Sequence, residues 1–225
     1  MRVTWYGQSA FLVEGETRSV FVDPFADMSG LMARGRTWRY PAIEVAGCDL
    51  LLVTHEHLDH NGVTAINGSP RLIRSAAGTF DTADVPVVGI ASEHDRVAGT
   101  MRGANVIYVF QLDGIRVCHL GDFGQKELRP EQLEAIGRVD LLFIPVGGSA
   151  TIDGAQAAHL TRLLAPRWAV PMHYRTSAID FLETADAYLA QAATEVVNPA
   201  RPTFSPTAIE GHGSSVIVVP PPPLN

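Results

Sequence analysis

The 225-residue chain lacks the features that mark secreted, membrane and disulfide-stabilised proteins. Its two cysteines, Cys48 and Cys118, are too few for a disulfide framework, and both lie beside apolar segments as small core residues commonly do. No apolar run is long enough for a transmembrane helix, and residues 2–6 already have a strand pattern where a signal peptide would stand. We therefore expect a cytoplasmic protein that does not associate with membranes.

Positive charge is also scarce. Lys and Arg number 17 against 24 Asp and Glu, which gives a formal net charge of −7, and the basic residues do not cluster. Proteins that bind nucleic acids need a basic surface to neutralise phosphates. We therefore expect a small-molecule substrate and no nucleic acid, while the sequence leaves the oligomeric state open.

The composition that is present favours one well-packed domain. Hydrophobic residues make up 46% of the chain and charged residues 18%, which is typical of a globular protein with a substantial core. The 20 glycines and 15 prolines indicate many short strands joined by tight turns. We predict a single domain over residues 1–225 that ends in a proline-rich tail at about 220–225.

A histidine-rich segment follows the apolar run at 50–53. Residues 54–62 read Thr-His-Glu-His-Leu-Asp-His-Asn-Gly, so three of the eight histidines fall within six positions. His55 and His57 can turn toward one cation, and Asp59 and His60, after a bend, can reach a second beside it. Neutral imidazole and carboxylate suit zinc best, with manganese or iron(II) as alternatives. The segment therefore predicts a metal site, because a chance histidine-rich loop is a poor explanation.

The pattern His-x-His-x-Asp-His after an apolar strand resembles the signature of the metallo-β-lactamase superfamily. This resemblance implies an α/β (α+β) fold, a four-layer αββα sandwich, with a metal site that is usually dinuclear at one edge of its two sheets. It also implies a third histidine for the first ion, a bridging aspartate, and a late histidine for the second ion.

Three later residues fit those places, and each follows a predicted apolar strand. The resulting assignment has two divalent ions, most simply zinc. The first is bound by His55, His57 and His94, the second by Asp59, His60 and His173, and Asp122 lies between them.

Three histidines remain outside this assignment. His212 lies between two glycines and is an alternative late ligand to His173. His159 falls within a helical pattern and is predicted to lie at a surface. His119 alternates with apolar residues on a strand, where it either orients Asp122 or is a buried histidine with ordinary hydrogen bonds.

The remaining pattern alternates strands with helices. A polar, glycine-bearing excursion at 25–39 is a candidate flap over the site. An Asp-Gly pair at 113–114 indicates a hairpin, and Asp153 is a candidate N-cap. We predict strands at 2–6, 10–14, 19–22, 50–53, 71–74, 87–92, 105–112, 115–118, 141–145, 167–172 and 215–219, with helices at 130–137, 153–164 and 178–193.

Within the superfamily, four motifs resemble a branch of metal-dependent hydrolases that also contains an ascorbate-6-phosphate lactonase and an N-acyl-phosphatidylethanolamine phospholipase. They are Gly-x-Ser-Ala-Phe-Leu at 7–12, Val-Asp-Pro-Phe at 22–25, Ile-Pro-Val-Gly-Gly at 144–148 and Met-His-Tyr at 172–174. Gln8 stands where the branch usually has histidine. An amide does not change its protonation state, so Gln8 is limited to hydrogen-bonding roles.

The expected activity is hydrolysis of an ester, lactone or phosphodiester in a small substrate, which can be anionic. Two ions can lower the pKa of a bridging water from about 15.7 toward about 7. Asp59 would then both bind metal and fix the resulting hydroxide, and Tyr174 is a candidate proton donor or else a packing residue. Arg175 either binds an anion or is a surface charge, and the Gly-Gly-Ser sequence at 147–149 either offers amides to a ligand or forms a tight turn.

Other functions stay open beside hydrolysis. An inactive metal-bound scaffold and a nuclease of the same superfamily are the alternatives. The chain keeps His57, where the diiron redox members have glutamate, which favours hydrolysis over redox chemistry.

Overall fold

Two β-sheets pack face to face in the computed structural model, which describes residues 1–82, 85–149, 151–192, 194–211 and 215–224. The six-stranded sheet has the order β13-β1-β2-β3-β4-β5 and the eight-stranded sheet the order β12-β14-β11-β10-β9-β8-β7-β6. The strands are β1 Arg2–Gly7, β2 Ala10–Glu14, β3 Ser19–Val22, β4 Leu50–Val53, β5 Arg71–Arg74, β6 Gly78–Phe80, β7 Val87–Glu93, β8 Ala104–Leu112, β9 Ile115–His119, β10 Leu141–Pro145, β11 Trp168–Met172, β12 Glu195–Val197, β13 Thr203–Phe204 and β14 Val216–Val218.

The side chains of the six-stranded sheet divide between two apolar clusters because successive residues of a strand face opposite sides. On β2, Phe11 and Val13 enter the main core, which also contains residues of the eight-stranded sheet, whereas Ala10 and Leu12 enter the second cluster. The strands β3 and β4 alternate in the same way. Both faces of this sheet are therefore buried, which explains why its strands read as continuous apolar runs.

Helices accompany mainly the eight-stranded sheet. They are α1 Ser29–Met32, α2 Pro130–Ile136, α3 Gly154–Leu164 and α4 Asp186–Ala192. The predicted N-cap is confirmed, since the Asp153 carboxylate accepts a hydrogen bond from the amide of Gln156 (2.9 Å). On the six-stranded side the outer layer is less regular, and it is built from α1, a single 3₁₀ turn at Val63–Ala65 and the loops around them.

The strand directions bring many strand ends to one edge of the molecule. β3 and β4 are parallel, as are β9, β10 and β11, and the antiparallel pairing of β7–β8–β9 gives β7 the direction of β9. At this edge the two sheets are joined by a hydrogen bond from the amide of Val106 to the carbonyl of Thr54 (3.1 Å). Residues that follow these strands therefore share one neighbourhood.

The prediction of a helix over 178–193 is wrong in its first half, because α4 begins at Asp186. Backbone groups that would close the first helical turns are bound elsewhere. The carbonyl of Ala178 accepts from the amide of Arg39 (2.9 Å), and the amide of Glu183 donates to the carbonyl of Gly147 (2.9 Å). Tertiary hydrogen bonds thus override the local helical pattern.

The other predicted helices and strands are confirmed with end shifts of about one or two residues. The short strands β6, β12 and β13 were not predicted, since two or three residues are too few to show alternation. Within the described residues, no helix is long and apolar enough to cross a bilayer.

Candidate metal centre

The seven predicted metal ligands lie together at the shared strand edge. Their potential donor atoms form three overlapping groups, in each of which all donor atoms lie within 4.8 Å of one another. The groups are His55, His57 and His94; His55, His60 and Asp122; and Asp59, His60 and His173. The first and third groups have the same members as the two sets predicted from the sequence.

Asp122 contacts members of both sets. Its Oδ2 lies 3.1 Å from Nε2 of His94 and 3.2 Å from Nε2 of His173, and its Oδ1 lies 3.2 Å from Nε2 of His60. A carboxylate in this position can bind two cations at once, which is the bridging role that the resemblance implies.

Buried polar atoms without partners indicate that the site fits a metal. Nε2 of His60 and Oδ1 of Asp122 are inaccessible to solvent and make no hydrogen bond among the described residues. A buried polar group without a partner costs free energy, so such atoms require an explanation. Metal coordination supplies one, because imidazole nitrogen and carboxylate oxygen are the donors that divalent ions of the zinc type prefer.

The electrostatics of the cluster favour a cation. Burial, and next the charge of His60, lower the pKa of His55 to about 2, so this imidazole is neutral and keeps a lone pair on Nε2, which lies 3.0 Å from Nδ1 of His57. Burial opposes protonation of His60 as well, yet Asp122, Asp59 and Asp23 together raise its pKa well above the usual value. The carboxylates that would hold a proton on His60 attract a metal ion in the same way.

Asp23, at the end of β3, determines how two of the histidines present their ring nitrogens. Its carboxylate accepts from Nδ1 of His60 (2.8 Å) and from Oγ1 of Thr54 (2.7 Å). Since the Thr54 hydroxyl proton is directed to Asp23, Oγ1 accepts from Nδ1 of His55 (3.0 Å). Both imidazoles therefore carry their proton on Nδ1 and present Nε2 to the cluster.

Asp23 was not among the site residues predicted from the sequence. It is fully buried, has a left-handed φ of 51° and also accepts from the amide of Thr54 (2.7 Å). The sequence signal that could have indicated its role was an aspartate at the end of an apolar strand, directly before a proline.

Asn105 and His119 hold the loop that carries Asp122. Oδ1 of Asn105 accepts from the amide of Asp122 (3.0 Å). His119 accepts from the amide of Gly121 at Nδ1 (3.1 Å), so its Nε2 donates to the carbonyl of Ser9 (3.0 Å). His119 is thus the buried histidine with ordinary hydrogen bonds, and it fixes the loop without touching the Asp122 carboxylate.

Gln8 links two segments of the site. Its Nε2 donates to Oδ2 of Asp59 (3.2 Å), and its carbonyl accepts from the amide of His173 (3.3 Å) and from Nε1 of Trp5 (3.0 Å). Its backbone is left-handed (φ 49°), which turns the chain sharply after β1. The amide that replaces the branch's histidine therefore has a hydrogen-bonding contact with a predicted ligand.

Tyr174 lies against the core, away from the cluster. Its ring stacks on that of Trp5 (centroids 5.8 Å apart), it lines a separate cleft with the prolines at 220–222, and burial raises its pKa. These contacts match the packing alternative, and the proton-donor role stays a prediction without a supporting contact.

Two other sequence candidates lie outside the cavity, and the position of a third is not described. Arg175 is exposed, and His159 is exposed on α3 as predicted. The alternative late ligand His212 falls outside the described residues, so its competition with His173 stays a prediction.

A cavity of about 250 Å³ opens above the cluster. Leu31 and Arg36, both within the excursion at 25–39, line it, so the candidate flap does cover the site. Ser149 lines it too, whereas Gly147 serves close packing, because a Cβ there would lie 2.1 Å from the carbonyl oxygen of His173. Among the described residues, the lining consists of Leu31, Arg36, His57, Asp59, His94, Arg102, Asp122, Ser149, His173, Phe181 and Leu182.

Comparison with known proteins identifies the family. The model of the beta-lactamase superfamily domain matches residues 2–173. A UPF0173 metal-dependent hydrolase of Thermococcus kodakarensis is 30% identical over 203 residues, which cover 78% of this chain and 85% of that protein. A UPF0173 metal-dependent hydrolase of Nitratidesulfovibrio vulgaris is also 30% identical, over 78% of this chain and 80% of its own length.

A solved structure agrees over the whole fold. The crystal structure from Thermotoga maritima that is assigned to the Zn-dependent hydrolases of the metallo-beta-lactamase superfamily has a TM-score of 0.74 and 29% identity, covering 97% of this chain and 98% of that one. The chain belongs to the metallo-β-lactamase superfamily. The resemblance and the α/β fold class predicted from the sequence are confirmed.

Proposed function

We propose that the protein is a metal-dependent hydrolase that uses two divalent ions, zinc in the first instance, to cleave an ester, lactone or phosphodiester of a small molecule. The observation that carries the proposal is the cluster of five imidazoles and two carboxylates, Asp59 and Asp122, in which buried donor atoms lack hydrogen-bond partners among the described residues. The assignment of the relatives as metal-dependent hydrolases supports it.

The residues divide into two coordinating sets. His55, His57 and His94 would hold one ion, Asp59, His60 and His173 the other, and Asp122 would contact both. When bound, such ions supply Lewis-acid activation of water and of the substrate's carbonyl or phosphoryl oxygen.

Protein groups would orient the attacking water. Asp59 is the best placed acceptor, because its side chain lines the cavity and remains 21% exposed, whereas Asp122 is almost fully buried. The Gln8 amide donates to one oxygen of Asp59 and so keeps the carboxylate turned in a fixed direction. Leu31 and Leu182 limit the access of bulk water from the flap side.

We predict that protein purified without chelator contains about two divalent ions per chain. Elemental analysis by mass spectrometry measures this directly. Less than one ion per chain, with no increase on incubation with zinc, manganese or iron(II), would contradict the proposed centre.

We predict that Gln8→Met weakens binding of the ion held by Asp59, His60 and His173 by about tenfold, as loss of an orienting partner commonly does. Methionine keeps the volume of glutamine but cannot donate to Asp59. Calorimetric titration with zinc measures both binding steps. Gln111→Met, on an exposed position of β8, is the control, and equal behaviour of the two variants would remove Gln8 from the site.

A substrate panel separates hydrolysis from the scaffold alternative. The metal-loaded protein should hydrolyse at least one class among lactones, carboxylic esters, thioesters and phosphodiesters. If it hydrolyses none and also leaves RNA and DNA intact, the proposal fails and the inactive metal-bound scaffold gains.

A further inference from the structure

Two arginines line the cavity of the proposed metal centre, and they come from separate parts of the chain. Arg36 belongs to the flap, and Arg102 belongs to the loop between β7 and β8. Arg175, which the sequence left open as an anion-binding residue or a surface charge, does not line the cavity. The positive charge at the site therefore comes from residues that are far apart in sequence.

Neither guanidinium forms a hydrogen bond or an ion pair with a carboxylate among the described residues. Among the described residues, the side chains of Arg36 and Arg102 make no hydrogen bond and no ion pair, and both are exposed. Asp180 accepts hydrogen bonds from the amide (3.0 Å) and hydroxyl (2.8 Å) of Thr37, which lower the pKa of its carboxyl, and the charge of Arg36 lowers that pKa further without a hydrogen bond. The hydrogen-bond donors of both guanidinium groups are therefore available to a ligand.

Contacts nevertheless restrain both arginines, Arg102 through its backbone and Arg36 through its side chain. The carboxylate of Asp95 accepts hydrogen bonds from the amides of Val97, Gly99, Met101 and Arg102 (2.8–3.0 Å), which orders the loop directly after His94. Cζ of Arg36 lies over the ring of Phe181, 5.9 Å from its centroid. Fixed attachment points reduce the entropy that a charged side chain loses on binding.

The rest of the wall sets the size and polarity of a ligand. Leu31, Phe181 and Leu182 form an apolar side, and the cavity of about 250 Å³ is smaller than a drug-sized pocket. The chain as a whole carries −7 and the carboxylates Asp59 and Asp122 also line the cavity, so Arg36 and Arg102 supply the permanent positive charge of its described lining.

We propose that Arg36 and Arg102 form an oxyanion-recognition pair that selects small substrates in which a short apolar chain separates the scissile ester from a carboxylate or phosphate group. The inference rests on the proposed hydrolase function and names its substrate class. In such a substrate, water adds to the ester carbonyl, the acyl C–O bond breaks, and the alcohol leaves with the proton. The remote oxyanion stays bound to the arginines throughout.

Two matched esters test the charge preference. Mono-4-nitrophenyl glutarate and 4-nitrophenyl valerate have the same acyl length, but only the first carries a terminal carboxylate. The metal-loaded protein should show kcat/KM on the order of tenfold or more higher for the glutarate ester. Arg36→Gln and Arg102→Gln should each reduce this ratio about tenfold, mainly through KM.

Neighbouring arginines provide the controls. Arg34→Gln changes an exposed arginine of the flap that does not line the cavity. Arg175→Gln changes an exposed arginine outside the flap, close to His173 in sequence, that does not line the cavity either. Both should keep the substrate ratio of the unmodified protein. A ratio that falls equally in all four variants would overturn the pair, because general surface charge would then explain the preference.

A binding measurement gives a result even when neither ester turns over. Calorimetric titration with glutarate and with glycerol 3-phosphate should show binding to the metal-loaded protein that weakens about a hundredfold when both arginines are replaced. The ligand that binds with the higher affinity shows whether the site prefers a carboxylate or a phosphate group. Equal binding to the unmodified and doubly substituted proteins would overturn the inference, while ester hydrolysis without charge preference would overturn it and leave the hydrolase proposal intact.

Discussion

Asp122→Ala is expected to abolish hydrolysis and to weaken metal binding more than about 100-fold. This loss of affinity is larger than the loss that usually follows removal of a residue that only hydrogen-bonds a metal ligand. The reason is that Asp122 contacts both ligand sets, His94 through Oδ2 and His60 through Oδ1 (3.1 and 3.2 Å). A water molecule in its place would not neutralise the charge of two adjacent cations. Metal content after dialysis against zinc-free buffer, measured together with activity, checks the result.

The matched control is His159→Ala. His159 is a potential ligand by residue type, but it lies exposed on α3 outside the cavity. The His159→Ala substitution should leave both metal content and activity almost unchanged. Similar small effects of the two substitutions would refute the proposed centre, and a thermal melt of the metal-free Asp122→Ala protein shows whether the fold is retained.

Asp23→Asn is expected to weaken binding of both ions by about 10–100-fold, although Asp23 belongs to neither ligand set. The carboxylate accepts from Nδ1 of His60 and, through Thr54, fixes Nδ1 of His55. An amide nitrogen at the Oδ2 position would point hydrogens at groups that also donate. The imidazoles would then lose the tautomer that presents Nε2 to metal.

The same substitution should also destabilise the metal-free fold by about 1–3 kcal/mol, because buried donors lose their acceptor. Zinc calorimetry and urea unfolding measure the two effects. Asp49→Asn is the control, since Asp49 accepts from the amide and hydroxyl of Ser19 (2.8 Å each) at the exposed opposite end of β3. If Asp23→Asn behaves like Asp49→Asn, the proposed orientation of the histidines is wrong.

Several features could be predicted because they depend on short segments. Buried strands such as β4 and β10 are continuous apolar runs, and the polar residues that follow them mark the strand ends. His55, His94, Asp122 and His173 were selected by that local signal together with the family resemblance. The structure places them in one cluster because parallel strands bring their carboxyl ends to one edge.

Other features depend on distant partners and were missed. The helix expected from residue 178 starts eight residues later, because the amide of Arg39 and the carbonyl of Gly147 bind its backbone. Arg36 and Arg102 carry no motif, and their common position in one cavity depends on the flap crossing the sheet edge.

The sequence by itself determined the residue types of the predicted metal centre, since ligand chemistry is a property of short segments, and its motifs implied the two-sheet class through the family resemblance. Only the tertiary structure decided which atoms those residues present. Tautomers follow from hydrogen bonds such as those of Asp23, and the lining of the cavity follows from segments more than 60 positions apart, such as Arg36 and Arg102. Contacts between such distant segments exist only after the sheets have packed, so no local pattern encodes them.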